Sequence, residues 1–409
     1  MSEFEKAISG SGYAAQFGFA PLEKPAFIGK EDHKLFIGIP KEKNFQENRI
    51  PLTPDAVDVL VSNGHRILVE TKAGDGAHFK DKDYSESGAE IIYDPKKIFE
   101  ADIILKVAPT SEEEIELLKM HQILISPIHL PTINDTFINK LMQKKVTALA
   151  LEYIKDEAGT FPFVRAMSEI AGSNAIQIAG ELLSSAKNGQ GLLLGGISGV
   201  PPANVVVLGG GVVGEFATRA ALGLGASVKI FDNNIYKLMR LQNNVGRRLF
   251  TSAFYPDVLQ KELEDADVAV GAIHSESGRT PIIVSEEIVS IMKPGSVIVD
   301  VSIDQGGVFE TSEVTSHQNP TFKKYDVIHY CVPNIASRVA RTASYAMSNI
   351  LSQRLLKSSE LGGLEKLFYY DHTSRHGVYI YKGCLTNKHL SERFSIKHTN
   401  IDLLFAGNM

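Results

Sequence analysis

The chain has 409 residues, 44% hydrophobic and 22% charged, with a formal net charge of −6. That length exceeds one ordinary core, so two or three domains are expected, and the acidic balance argues against nucleic acid as a partner. Two cysteines, Cys331 and Cys384, exclude a disulfide framework and fit a reducing, cytoplasmic setting.

No apolar run reaches the roughly 18 residues of a membrane span, so no membrane partner is expected. Residues 1–33 lack a basic start followed by a compact apolar stretch, and read as a polar extension rather than a secretory signal. From residue 34 onward, short apolar runs alternate with helical patterns. "KLFIGIP" reads as a strand. "TPDAVDVLVSNG" reads as a helix with Thr53 at its N-cap, Pro54 at N1 and Gly64 beyond its end. "RILVE", "AEIIYD", "DIILKV", "QILISPI" and "VTALALEYI" read as strands. "SEEEIELLKM" opens on a capping box, Ser111 with Glu114. Such alternation predicts a mostly parallel α/β sheet.

A small-residue-rich helix from about Ser168 to Ala186 is predicted to connect this part to the next. Six further strands, from "NVVVL" to "DVIHYCVPN", alternate with helices, the number of a complete dinucleotide-binding sheet. From about Arg341 the pattern turns helical. His372 and His376, four apart, read as a solvated loop or helix end. No CxxC or HExxH occurs, and no metal is expected.

The stretch "VVVLGGGVVGEFATRAALGLGASVKIFD" carries the most chemical information. Gly209-Gly210-Gly211-Val212-Val213-Gly214 fits GxGxxG after a strand and before a helix. Gly209 permits a tight turn, Gly211 lets the backbone approach a pyrophosphate, and Gly214 lets helix and strand lie close. The following N–H groups of Val212 and Val213 and the helix dipole favour phosphate. Asp232 ends the second strand, 18 residues beyond Gly214. A carboxylate there accepts hydrogen bonds from ribose hydroxyls and repels a 2′-phosphate, so NAD is the expected cofactor.

The segments "GIPKEKNFQENRIPLTP", "MSEIAG", "GGISGVPPANVVVLGGGVVG", "MKPGSVIVDVSIDQGG", "HYCVPN" and "RTASYAMSN" resemble the alanine dehydrogenase family, which also contains the NAD-binding subunit of proton-translocating transhydrogenases. "IDQGG" resembles the dehydrogenases more closely. The likeness spans roughly residues 34–390. It implies two Rossmann-like, doubly wound α/β domains. The nucleotide domain (167–340) would be inserted into a discontinuous substrate domain (34–166 plus 341–409), with a cleft between them. It also implies oxidative deamination of L-alanine to pyruvate and ammonium, and a homohexamer.

The residues that match the family's motifs are Arg49 as carboxylate clamp, His129 as acid–base group and Asp304 as second catalytic residue. Asn334 matches a position beside the nicotinamide and substrate, and Ser168 one that helps hold the cofactor. The departures lie in the substrate half. Where the family has a "KVKEP"-like stretch whose second lysine is a substrate ligand, this chain reads "KVAPT", with Ala108 in that place. Strand alternation would put Lys106 on the same face as Ala108, and Lys106 is the expected replacement. The loop His274–Thr280 and the stretch after Asn334, which lacks prolines, also differ. These departures keep two alternatives in view: a dehydrogenase for another small amino acid, and an NAD-binding paralogue without turnover.

Overall fold

A computed structural model describes residues 33–44, 46–130, 132–275 and 278–406. The predicted 1–33 extension lies, apart from His33, outside these residues. No helix among them is long and apolar enough to cross a membrane.

The strands fall into two sheets. The first contains β1 (Phe36–Ile39), β2 (Arg66–Glu70), β3 (Glu90–Ile92), β4 (Ile103–Leu105), β5 (Ile123–Ser126) and β6 (Thr147–Ala150), with β14 (Val378–Tyr381) and β15 (Cys384–Leu385). Its order is β15-β14-β6-β5-β4-β1-β2-β3. β1 to β6 pair in parallel, while β14 and β15 are antiparallel additions at one edge. Ile37, Ile39, Leu105 and Leu149 pack into one hydrophobic layer, and Ile104, Leu124 and Ala148 into another on the opposite face. Burial on both faces explains why these strands are almost uniformly apolar in sequence.

The second sheet contains β7 (Asn204–Leu208), β8 (Ser227–Phe231), β9 (Phe250–Ser252), β10 (Val268–Gly271), β11 (Val297–Asp300), β12 (Thr321–Lys324) and β13 (Val327–Tyr330), in the order β12-β13-β11-β10-β7-β8-β9. Without β12 this is the doubly wound dinucleotide-binding order, whose strand order reverses between β7 and β10.

Three findings differ from the sequence reading. The sheet has a seventh strand, β12, hairpinned to β13 through Tyr325 and Asp326, both at positive φ (55° and 58°). Such a two-residue turn matches the twist of the paired strands. The tail after Arg341 is not wholly helical, because β14 and β15 return to the first sheet. The connecting helix begins six residues early, at Pro162, and ends at Leu182.

Four helices position the site. α1 (Pro54–Ser62) has Thr53 at its N-cap, but the Thr53 hydroxyl lies 3.2 Å from Ser348 Oγ instead of capping. α2 (Glu112–Leu117) carries the predicted capping box: Glu114 N donates to Ser111 Oγ, and Ser111 N to Glu114 Oε2. α3 (Pro162–Leu182) packs against α4 (Val212–Gly223). Gly172 makes that approach possible, since a Cβ there would lie 2.3 Å from the Val213 carbonyl oxygen.

Candidate active site

The glycine turn joins β7 to α4 at the point where strand order reverses. Gly209 has φ +118°, and a Cβ there would meet the Ala272 carbonyl oxygen at 2.4 Å. A Cβ on Gly214 would lie 1.8 Å from Gly209 O, so α4 sits against the turn itself. Gly211 is different: its Cβ would meet only Ala272 O, at 4.0 Å. Space is therefore left open on the middle glycine, beside the first residues of α4, Val212 and Val213. Asp232 is buried at the end of β8. Its two oxygens accept the N–H groups of Gly210 and Asn234, each at 2.7 Å. An open turn at a helix N-terminus with a carboxylate one strand over fits the phosphates and ribose of a dinucleotide.

A cavity of about 580 Å³ is lined from both halves of the molecule, and its Asp304 follows β11 at the same carboxyl edge of the second sheet as the glycine turn after β7. The first sheet contributes Arg49, Ala108 and His129, and the second contributes Asp304, His317 and Asn334. The structure thus brings together four of the expected residues: Arg49, His129, Asp304 and Asn334. Ser168 lies on α3, half-buried, and is not among the residues lining the cavity. Its neighbour Met167 touches Arg49, with Sδ 3.1 Å from Nη1.

Arg49 is already engaged. Glu47 grips it through two parallel hydrogen bonds, 2.7 Å at Nε and 2.6 Å at Nη2. Asn334 Nδ2 donates to the same carboxylate at 2.7 Å, tying the first sheet to the second across the cleft. Burial alone would raise the Glu47 carboxyl, but Arg49 and these hydrogen bonds outweigh it and hold it below the ordinary value. Asn334 adopts φ +57°, a conformation asparagine tolerates better than most residues, and its N–H donates to Asp304 Oδ1 at 3.3 Å.

Asp304 sits on the loop leaving β11. Buried Asp300 shapes that loop by accepting the N–H groups of Ser302 and Val308 and the Ser312 hydroxyl. Asp304 is exposed to the cavity, and the cleft walls enclose its carboxyl on the other sides. This enclosure pushes its carboxyl above the ordinary value, and His129, the Asn334 N–H and Arg49 offset it only in part. His129 follows β5 at φ +50°. The Glu152 carboxylate holds that backbone, accepting from Ile128 N at 2.7 Å and His129 N at 3.1 Å through Oε1.

Lys106 does not line the cavity. β4 ends at Leu105, so the alternation that would have carried Lys106 to the face of Ala108 has already stopped. Its ammonium is buried in an ion-pair cluster, 2.9 Å from Glu42 and 2.8 Å from Glu114. Glu42 Oε1 also accepts the N–H groups of Val107 and Ala108, at 2.6 and 3.1 Å. Lys106 thus stiffens the cavity wall from behind. Burial raises the Glu42 carboxyl, and Lys106 and those N–H groups pull it back only in part.

Sequence reasoning missed Glu47, Glu152 and His317. Glu47 stands two residues before Arg49, a spacing that could have suggested it. His317 lies in the loop before β12, with a buried Nε2 that has no hydrogen-bond partner among the described residues.

Residues 38–171 match the family described as "Alanine dehydrogenase/PNT, N-terminal domain", and residues 175–388 the corresponding C-terminal domain. The chain belongs to the alanine dehydrogenase/PNT family. It is 38% identical to an alanine dehydrogenase of Staphylococcus epidermidis over 90% of this chain and 98% of that one. It is 37% identical, with the same coverage, to alanine dehydrogenase 2 of Staphylococcus aureus. A solved L-alanine dehydrogenase superposes with a TM-score of 0.83 at 36% identity, covering 88% of this chain and 99% of that one. A transhydrogenase from Sinorhizobium meliloti shares the fold, with a TM-score of 0.74 at 23% identity over 86% of this chain and 99% of that one. The two family domains and the two sheets follow the same course: the C-terminal family domain contains β7 to β13 and then returns to the first sheet at β14.

Proposed function

We propose that this protein catalyses the reversible, NAD-dependent oxidative deamination of L-alanine to pyruvate and ammonium. Convergence of Arg49, His129, Asp304 and Asn334 from both halves on one cavity, at the sheet edge that also carries the glycine turn, supports this reading. Residues 34–166 with 341–409 form the substrate part and 167–340 the nucleotide part. Water supplies the oxygen of pyruvate, and a proton is released to solvent.

NAD supplies the hydride acceptor when bound. The chain orients the substrate and moves the protons. Arg49 receives the substrate carboxylate on the guanidinium edge that Glu47 leaves free. His129 takes a proton from the amine or water and returns it to the carbonyl oxygen in the reverse direction. Asp304 faces the positive charge of the imine and orients the attacking water. Asn334 fixes Glu47 and donates its N–H to Asp304, so the second sheet closes onto the carboxylate clamp. Ser168, on the helix behind Arg49, supports the cofactor side. By family likeness the chain assembles as a homohexamer in the cytoplasm, and light scattering of the purified protein tests the assembly.

Formation of NADH from alanine and NAD tests the reaction. The wild type should form NADH, and His129→Ala and Asp304→Asn should each lose at least about a hundredfold in kcat while keeping NADH affinity. Wild-type turnover in His129→Ala would remove its acid–base role. Preference for a larger amino acid would reassign the substrate. Tight NADH binding with no turnover of any amino acid would leave an NAD-binding protein.

A further inference from the structure

The charge pattern of the cavity raises a problem for an anionic substrate. Arg49, the cation deepest in the lining, is bound at Nε and Nη2 by Glu47, with Nη1 against Met167. Asp304 adds a second carboxyl. Lys106 is buried and committed to Glu42 and Glu114. The wall made by Val107, Ala108 and Pro109 is uncharged. A small 2-oxo acid entering this cleft therefore meets two carboxyls and a guanidinium that is already half used.

One further cation lines the cavity. Lys43 is exposed and makes no ion pair with any described residue. Its position follows from its neighbour. Glu42 accepts the N–H groups of Val107 and Ala108, which holds the 42–43 backbone alongside the 107–108 wall. Ala108, almost fully buried, presents only a methyl to that wall of the cavity.

We propose that Lys43 is a substrate-binding residue whose ammonium receives the carboxylate of the small 2-oxo acid, alongside Arg49. This rests on the dehydrogenase reading of the same cavity. Ion pairs on an open surface contribute little, but one that also hydrogen-bonds an anion in a closing cleft contributes more. A solvated lysine that merely borders the mouth would leave substrate affinity untouched.

The test compares wild type, Lys43→Met, Lys43→Arg and the double variant Lys43→Met/Ala108→Lys. The readouts are the pyruvate KM at saturating NADH and ammonium, oxamate binding to the protein–NADH complex, and NADH binding alone. Lys43→Met should raise both the pyruvate KM and the oxamate Kd at least about tenfold, flatten their salt dependence and leave the NADH Kd unchanged. Lys43→Arg should fall between, and the double variant should recover most of the loss. Unchanged KM and oxamate Kd in Lys43→Met would overturn the proposal while wild-type turnover upheld the reaction. Loss of oxamate binding in Lys43→Met, with a wild type that binds oxamate but does not turn over, would uphold Lys43 and overturn the reaction. A wild type that neither turns over nor binds oxamate would overturn both.

Discussion

Replacing Gly211 with alanine separates the fold of the glycine turn from its use. Gly211 has φ −72°, which any residue adopts, and its Cβ would have one neighbour, Ala272 O, at 4.0 Å. Alanine is a poorer N-cap than glycine, by about 0.5–1 kcal/mol. Reduced entropy of the unfolded chain offsets this by about 0.4–1 kcal/mol. The two effects nearly cancel, so the melting temperature should barely move. The added methyl projects into the open side of the turn, where the pyrophosphate belongs. Displacing one charge-assisted hydrogen bond costs about 1.5–3 kcal/mol, or roughly a ten- to hundredfold weaker Kd. NADH fluorescence titration and a thermal melt on the same sample measure both effects. Gly214→Ala is the contrasting variant: its Cβ would lie 1.8 Å from Gly209 O, so stability and binding should fall together. Wild-type NADH affinity in a stable Gly211→Ala variant would refute the placement of the pyrophosphate.

Other perturbations test the surroundings of the site. Glu152→Ala removes the acceptor for the N–H groups of Ile128 and His129, and should cost about 2–4 kcal/mol of stability and at least tenfold in kcat/KM, with NADH affinity kept. Burial raises the folded-state Glu152 carboxyl, so between the unfolded value of about 4.3 and that raised value the folded protein binds the extra proton and stability falls as pH rises. Glu152→Gln cannot ionise and should flatten that fall in denaturant titrations across the window. Lys106→Met leaves Glu42 and Glu114 buried without their cation, a loss of about 3–5 kcal/mol at neutral pH. The deficit should shrink in acid as Glu42, whose carboxyl burial already raises, takes up a proton. Asp232→Ser should weaken NADH and shift the NADH-to-NADPH affinity ratio at least about tenfold toward NADPH, measured by competitive titration.

The parts of this molecule legible in sequence are those with local causes. The glycine turn, the capping box of α2 and the run of parallel strands each follow from backbone geometry or periodicity within a few residues. β12 and β14 escaped because each pairs antiparallel with a neighbour in its sheet, outside the strand–helix alternation that marks the parallel strands. Exposed β12 also carries two lysines and no apolar stripe. Lys106 was misplaced because alternation holds only while a strand lasts, and β4 stops one residue earlier. Glu47 and Glu152 became meaningful only once folding set them against Arg49 and the His129 loop. A carboxylate that holds another residue in place has no spacing of its own to read.

The most direct measurement is NADH consumption with pyruvate, with and without ammonium. The account predicts rapid loss of NADH that requires both, abolished by His129→Ala. Loss of NADH without ammonium would mean simple ketone reduction, and no loss with pyruvate while NADH binds tightly would contradict the assignment of alanine as substrate.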